Sequence, residues 1–152
     1  FHMSGYTHKA PGALDRAICE AMELHEVDLI LLAGYMKKLG PVMLSVYADL
    51  ILNIHPALLP EFGGKGMYGE RVHQAVIDSG AKQSGVTVHL VNEEYDQGQI
   101  VAQKVVDVTP QDTAQSLAAR VLELEHKLYA EVITLFARGR VKIQGRKVEI
   151  TS

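Results

Sequence analysis

Two short apolar runs, DLILLAGY (28–35) and LILNIH (50–55), set the tightest limit on how this chain folds. The first is too short for a lone helix and is closed by Gly34, as a buried strand should be. The second reads as a strand stopped by Pro56. Pro41, between them, opens a short helix to about Ala48, because proline is tolerated at the first helical position. Strand, helix and strand in that order predict a βαβ unit with a parallel pair.

The rest of the chain continues the alternation. Leu14, Ile18, Ala21, Met22 and His25 recur at helical spacing and predict an amphipathic helix over 12–25, with Cys19 packing beside the stripe. Val72, Ala75 and Val76 mark another helix. GVTVHLV (85–91) alternates as a strand, with His89 read as a packing residue, and IVAQKVVDV (100–108) is the next strand. The polar turn NEEYDQGQ (92–99) joins them. Thr109-Pro110-Gln111-Asp112 carries a capping hydroxyl, a proline and an acid three residues after the cap, so a helix should begin there and run to about Phe136. Its buried stripe would be Leu117, Val121, Leu124, Leu128, Val132 and Leu135, and VKIQGRKVEI (141–150) reads as an edge or rim hairpin around Gln144-Gly145. The whole is an α/β domain over 1–152: a doubly wound, mostly parallel sheet with helices on both faces.

A chain of 152 residues buries about 68–70% of its unfolded surface, enough for one independent core. Its 15 basic and 18 acidic residues are interspersed, which excludes the basic stripe of a nucleic-acid binder. No run approaches membrane-spanning length, so a soluble, cytoplasmic protein without a membrane partner is expected. Cys19 is the only cysteine, and the seven histidines show no close-paired metal-ligand spacing.

The segment NIHPALLP (53–60) carries the chemistry. Side chains two apart on a strand point the same way, so Asn53 and His55 can address one atom, an oxyanion donor beside an acid/base. The plainer reading is a satisfied turn with Asn53 on the backbone and His55 at the core edge. Glycines 63, 64, 66 and 69 then suggest a mobile loop beside the site, or a plain surface connection. Asp96 sits in the polar turn and could return to the sheet's end. Glu125 borders the long helix's apolar stripe, where it either pairs at the core edge or contacts a ligand.

LLAGYMKKL (31–39), NIHPALLP, SGVTVHLVNEEYDQGQI (84–100) and LEHKLY (124–129) together resemble the phosphoribosylglycinamide formyltransferases, a folate-dependent family of purine synthesis. The resemblance runs over essentially the whole chain, with the motifs in the family's order. It implies transfer of a formyl group from 10-formyltetrahydrofolate to the amine of glycinamide ribonucleotide, with Asn53, His55 and Asp96 as the catalytic set. Asp96 would hold the imidazole and favour its charged form, and neither a metal nor a covalent nucleophile is needed. Met36, Lys37, Lys38, Leu39, Val91 and Asn92 would line the folate pocket, Glu125 would contact the ribonucleotide sugar, and the Leu59–Pro60 bond would be cis.

Three departures accompany the resemblance. The family's first strand and glycine-rich phosphate loop have no counterpart, so folate binding should be preserved better than ribonucleotide binding. The loop reads EFGGKGMYG where many relatives carry histidine, and Gln99 stands where many have proline. The rival readings are formyltetrahydrofolate hydrolase, another formyltransferase of the same fold, or a non-catalytic folate-binding module.

Overall fold

Apolar side chains at helical spacing wind α1 (Ala13–Leu24) in the computed structural model, which describes residues 2–145 and 147–151. Its buried residue is Cys19, a packing position as expected. Next come β1 (Ile30–Leu32), α2 (Pro41–Val46) and β2 (Ile51–His55), with β1 and β2 parallel as the two apolar runs predict. Cys19, Ile30, Met43, Tyr47 and Ile51 form one core between these elements. β1 is shorter than its apolar run, and Leu31 remains 41% exposed.

The start of α2 is satisfied from a distance. Gly40 at its cap position has no side-chain oxygen, so the Asp15 carboxylate of α1 accepts from the N–H of Val42 at 2.8 Å and of Met43 at 3.4 Å. A Cβ on Gly40 would lie 2.2 Å from the Asp15 Cγ, so glycine is what lets the two helices close.

Past β2 the chain forms α3 (Glu70–Ser79), β3 (Gln83–Leu90), β4 (Ile100–Asp107) and α4 (Ala114–Ala137). The sheet order is β1-β2-β3-β4. Here the mostly parallel expectation needs correction: β2–β3 and β3–β4 are antiparallel, giving a mixed sheet. Residues 91–99 are too few for a parallel crossover, which takes a dozen or more. α3 packs on α4, and the chain re-enters the sheet at the end where β2 finished.

The register sorts the side chains. Leu52, Val86, Val88 and Leu90 face α4 and pack with Leu117, Val121, Leu128 and Val132, all buried. Each such aliphatic side chain contributes about 1.5–3 kcal/mol. α1 and α2 cover the opposite face through Ile30 and Ile51, so helices do lie on both faces. A bulge at Val101 breaks the β3–β4 register, since Val88 faces Ala102 and His89 faces Ile100. The Tyr129 hydroxyl of α4 lies 3.0 Å from the carbonyl oxygens of both Leu32 and Leu52, fastening the helix across β1 and β2.

α4 begins later than the Thr109 signal predicts. The Asp112 carboxylate bonds back to the Thr109 N–H at 2.8 Å, closing a separate turn, and also holds Arg120. Thr113 is the cap, and its hydroxyl and that of Ser116 exchange bonds with each other's backbone N–H. Leu124 and Leu135 of the expected stripe are half-buried. The closing hairpin forms as expected, β5 (Val141–Gln144) against β6 (Lys147–Ile150), with Gln99 reaching the Gly145 carbonyl. Leu59–Pro60 is cis. No helix among the described residues is long and apolar enough to cross a membrane.

Asp15→Ala should lower stability by about 1 kcal/mol through loss of the cap on α2. Urea unfolding measures it, and an unchanged midpoint would show that water replaces the carboxylate at no cost.

Candidate active site

Because Leu52, Ile54, Val86, Val88 and Leu90 take the α4 side, the alternate residues Asn53, His55, Thr87 and His89 share the other face. Asn53 stands opposite His89, and His55 opposite Thr87. Thr87 fixes the segment after His55: its hydroxyl donates to the Ala57 carbonyl at 2.7 Å and accepts from the Leu59 N–H at 3.1 Å. Gln103 of β4 completes this knot through the Leu59 carbonyl and the Thr87 hydroxyl.

Asp96 reaches the same spot from the β3–β4 turn. Its φ of 56° lies in the left-handed region, which aspartate tolerates better than most residues. Gly98 makes the turn tight, for a Cβ there would sit 1.7 Å from the Leu90 carbonyl oxygen. The carboxylate spans two imidazoles: Oδ2 is 3.6 Å from His55 Nδ1, and Oδ1 is 3.5 Å from His89 Nε2. The Gly64 N–H of the glycine-rich loop donates to Oδ2 at 2.8 Å.

Partners fix the tautomers. His55 Nε2 is 2.8 Å from the Phe62 carbonyl, which can only accept, so Nε2 carries a hydrogen and the proton that comes and goes is on Nδ1, beside Asp96. His89 Nδ1 donates in the same way to the Leu90 carbonyl at 2.8 Å. The Asn53 amide nitrogen lies 3.1 Å from His89 Nε2, and the amide keeps a second N–H.

Electrostatically the site is a contest between burial and neighbours. Burial pushes His55 below the ordinary imidazole value; Asp96 and the Phe62 carbonyl pull it up, and His89 adds to the depression. Asp96 thus favours the charged ring, as expected, but burial outweighs it in the free protein. Burial alone would raise the Asp96 carboxyl, yet His89, the Gly64 N–H and His55 hold it below the usual carboxylate range. On α4, burial raises Glu125, which His126 only partly offsets.

These groups open on a cavity of about 840 Å³, whose wall includes every residue put forward from the sequence. Met36, Lys37, Lys38 and Leu39 come from the segment after β1 and α4 supplies Glu125. The remainder, Asn53, His55, Val91, Asn92 and Asp96, come from the end of β2 and the β3–β4 turn. Lys38 is held at the rim, 3.3 Å from Glu94 and over the Tyr95 ring. Tyr35, Met36, Tyr68 and Leu122 are exposed large hydrophobics on this same wall, an apolar surface suited to a planar ligand.

Among the lining residues that sequence reasoning did not put forward are two histidines, His73 of α3 and His89. For His89 the signal was available: once Val86, Val88 and Leu90 take the core face, strand alternation puts His89 beside Asn53. Nothing in the helical pattern marks His73.

A sequence profile of the family described as formyl transferase matches residues 1–133. A chloroplastic phosphoribosylglycinamide formyltransferase from Arabidopsis thaliana is 51% identical over 125 residues, covering 82% of this chain and 43% of that protein. A phosphoribosylglycinamide formyltransferase from Bacillus subtilis is 43% identical over 133 residues, covering 88% of this chain and 65% of that one. The chain therefore spans less than two thirds of the length of these relatives. In structure it is similar to glycinamide ribonucleotide transformylase 1 from Symbiobacterium toebii, with a TM-score of 0.90 and 40% identity over 99% of this chain and 69% of that one. The chain belongs to the formyl transferase family.

Proposed function

We propose that this chain transfers the formyl group of 10-formyltetrahydrofolate to the amine of glycinamide ribonucleotide. The observation that carries the reading is the meeting of Asn53, His55 and Asp96, from two separate parts of the chain, on the wall of one cavity. The names of the relatives agree with it.

The donor fits the wall built by residues 35–39 and 91–95, where apolar side chains suit a pterin ring and Lys37 and Lys38 suit the acidic end of a folate. The acceptor takes the wall of α3 and α4, with Glu125 on its sugar. Attack by the amine nitrogen turns the formyl carbon tetrahedral and moves charge onto its oxygen. The second N–H of Asn53 and the Nδ1–H of protonated His55 stabilise that charge; one such donor is worth about 3–4 kcal/mol in other enzymes. As the adduct collapses, the proton on Nδ1 passes to the departing folate nitrogen. Asp96 and the Phe62 carbonyl keep the imidazole from turning. The protein acts in the purine pathway, and its chemistry needs no metal.

A formyl-transfer assay with purified protein tests the reading directly: product should form with glycinamide ribonucleotide and far more slowly with water. Release of formate with equal speed in both cases would make the protein a hydrolase.

Asp96→Asn should lower the rate by about 10²–10⁴-fold with little change in the melting temperature. The sign of its pH effect follows from His55. Asp96 raises the pKa of that imidazole, so removing its charge leaves burial less opposed and the pKa falls further. Rate–pH curves should therefore lose the imidazolium limb at lower pH than in wild type. An unchanged rate and profile would reduce Asp96 to a turn residue.

A further inference from the structure

His73 has no role in the mechanism above. It is 5% exposed, and its Nδ1 is enclosed without a hydrogen-bond partner. Nε2 makes no hydrogen bond among the described residues either, yet the ring lines the cavity together with Glu70, Gln115 and Glu125. A half-turn about its Cβ–Cγ bond presents either nitrogen, since that torsion is broad and two-fold. A buried polar group without a partner is costly, and such a group on a cavity wall has its natural partner in a ligand.

His73 also differs from His55 in its surroundings. Burial pushes its pKa below the ordinary value, nearby His55 pushes it further down, and Glu70 of its own helix pulls up. Glu125 of α4 lines the same cavity. Unlike His73, His55 has a carboxylate and a carbonyl at its two nitrogens, at 3.6 and 2.8 Å. Of two imidazoles that repel each other's charge, the proton settles on the one with these partners. A proton entering the pair is therefore better held on His55, and His73 is the imidazole left able to accept.

We propose that His73 is the base of the reaction, taking up the proton that the acceptor amine gives up as its nitrogen bonds to the formyl carbon. The inference rests on the formyl-transfer reading. The amine's electron pair forms the new C–N bond and the carbonyl π pair moves onto oxygen. The N–H⁺ of the adduct passes its proton to a ring nitrogen of His73. The oxyanion pair then re-forms the carbonyl and the old C–N bond breaks. His55 protonates the folate nitrogen that leaves. One proton is taken up by His73 and one released by His55, and exchange between them through water restores the starting state. Asp96 is unsuited to this task, because its oxygens already face His55, His89 and the Gly64 N–H.

His73→Gln keeps a polar side chain of similar reach and cannot titrate. Measured between about pH 5 and 9, it should lower kcat by about 10²-fold and abolish the limb on which wild-type rate rises with pH. Its KM for the amine and its affinity for folate, read by fluorescence titration, should stay close to wild type. In His73→Ala, added imidazole should restore part of the rate, which holds the test open if the glutamine variant melts early. A wild-type kcat and limb in His73→Gln, a loss confined to KM, or absence of imidazole rescue overturns the inference while leaving the functional reading intact. A wild-type protein that transfers no formyl group overturns both.

Discussion

The antiparallel register of β2 on β3 is the constraint from which the rest follows. Both strands alternate, so a single register decides at once what enters the core and what enters the site. With Leu52 opposite Leu90 and Ile54 opposite Val88, the apolar set meets α4, and Asn53, His55, Thr87 and His89 fall together on the other face. A slip of β3 by one residue would drive Thr87 and His89 into the aliphatic core and expel Val86, Val88 and Leu90. Packing energy and chemical geometry are therefore selected by one choice, and the site needs no stabilisation of its own to be placed.

The same arrangement explains the electrostatic character of the site. The sheet buries His55 until only 4% of its side chain is exposed, and that dryness depresses its charge. Asp96 restores part of it from the hairpin turn. The imidazolium is thus poorly supported at rest and best supported when a negative oxygen arrives in the cavity. Stabilisation is withheld from the ground state and given where charge develops, which is the condition for a gain in rate rather than in binding alone.

Much of this was legible in residues 28–60. The apolar runs and Pro41 announce the βαβ unit, and the spacing of Asn53 and His55 announces a shared face. The direction of β3 and β4 was less legible, because alternation marks a strand and not its sense; the brevity of 91–99 was the clue. Thr109 misled as a helix start because Asp112 satisfies its backbone in a local turn, while Thr113 and Ser116 cap the helix with hydroxyls alone. His73 was hidden for a different reason. A histidine among apolar neighbours looks alike in sequence whether its nitrogens are satisfied by the backbone, by another side chain or by nothing. The balance on His55 was out of reach too, since burial is a property of packing.

The glycine-rich loop grips the site through main-chain atoms alone: the Phe62 carbonyl takes the His55 hydrogen, and the Gly64 N–H meets Asp96. Such contacts are indifferent to the side chains that the loop carries. At Glu61, Lys65, Met67 and Tyr68 the residue types can drift without loosening that hold, provided the backbone keeps its path, whereas Gly63 is fixed by the 2.5 Å approach an added Cβ would make to Leu59 and Gly64 by its φ of 98°. A loop written as EFGGKGMYG and one written quite differently can therefore be the same device, and a scan that truncates side chains one at a time is blind to it.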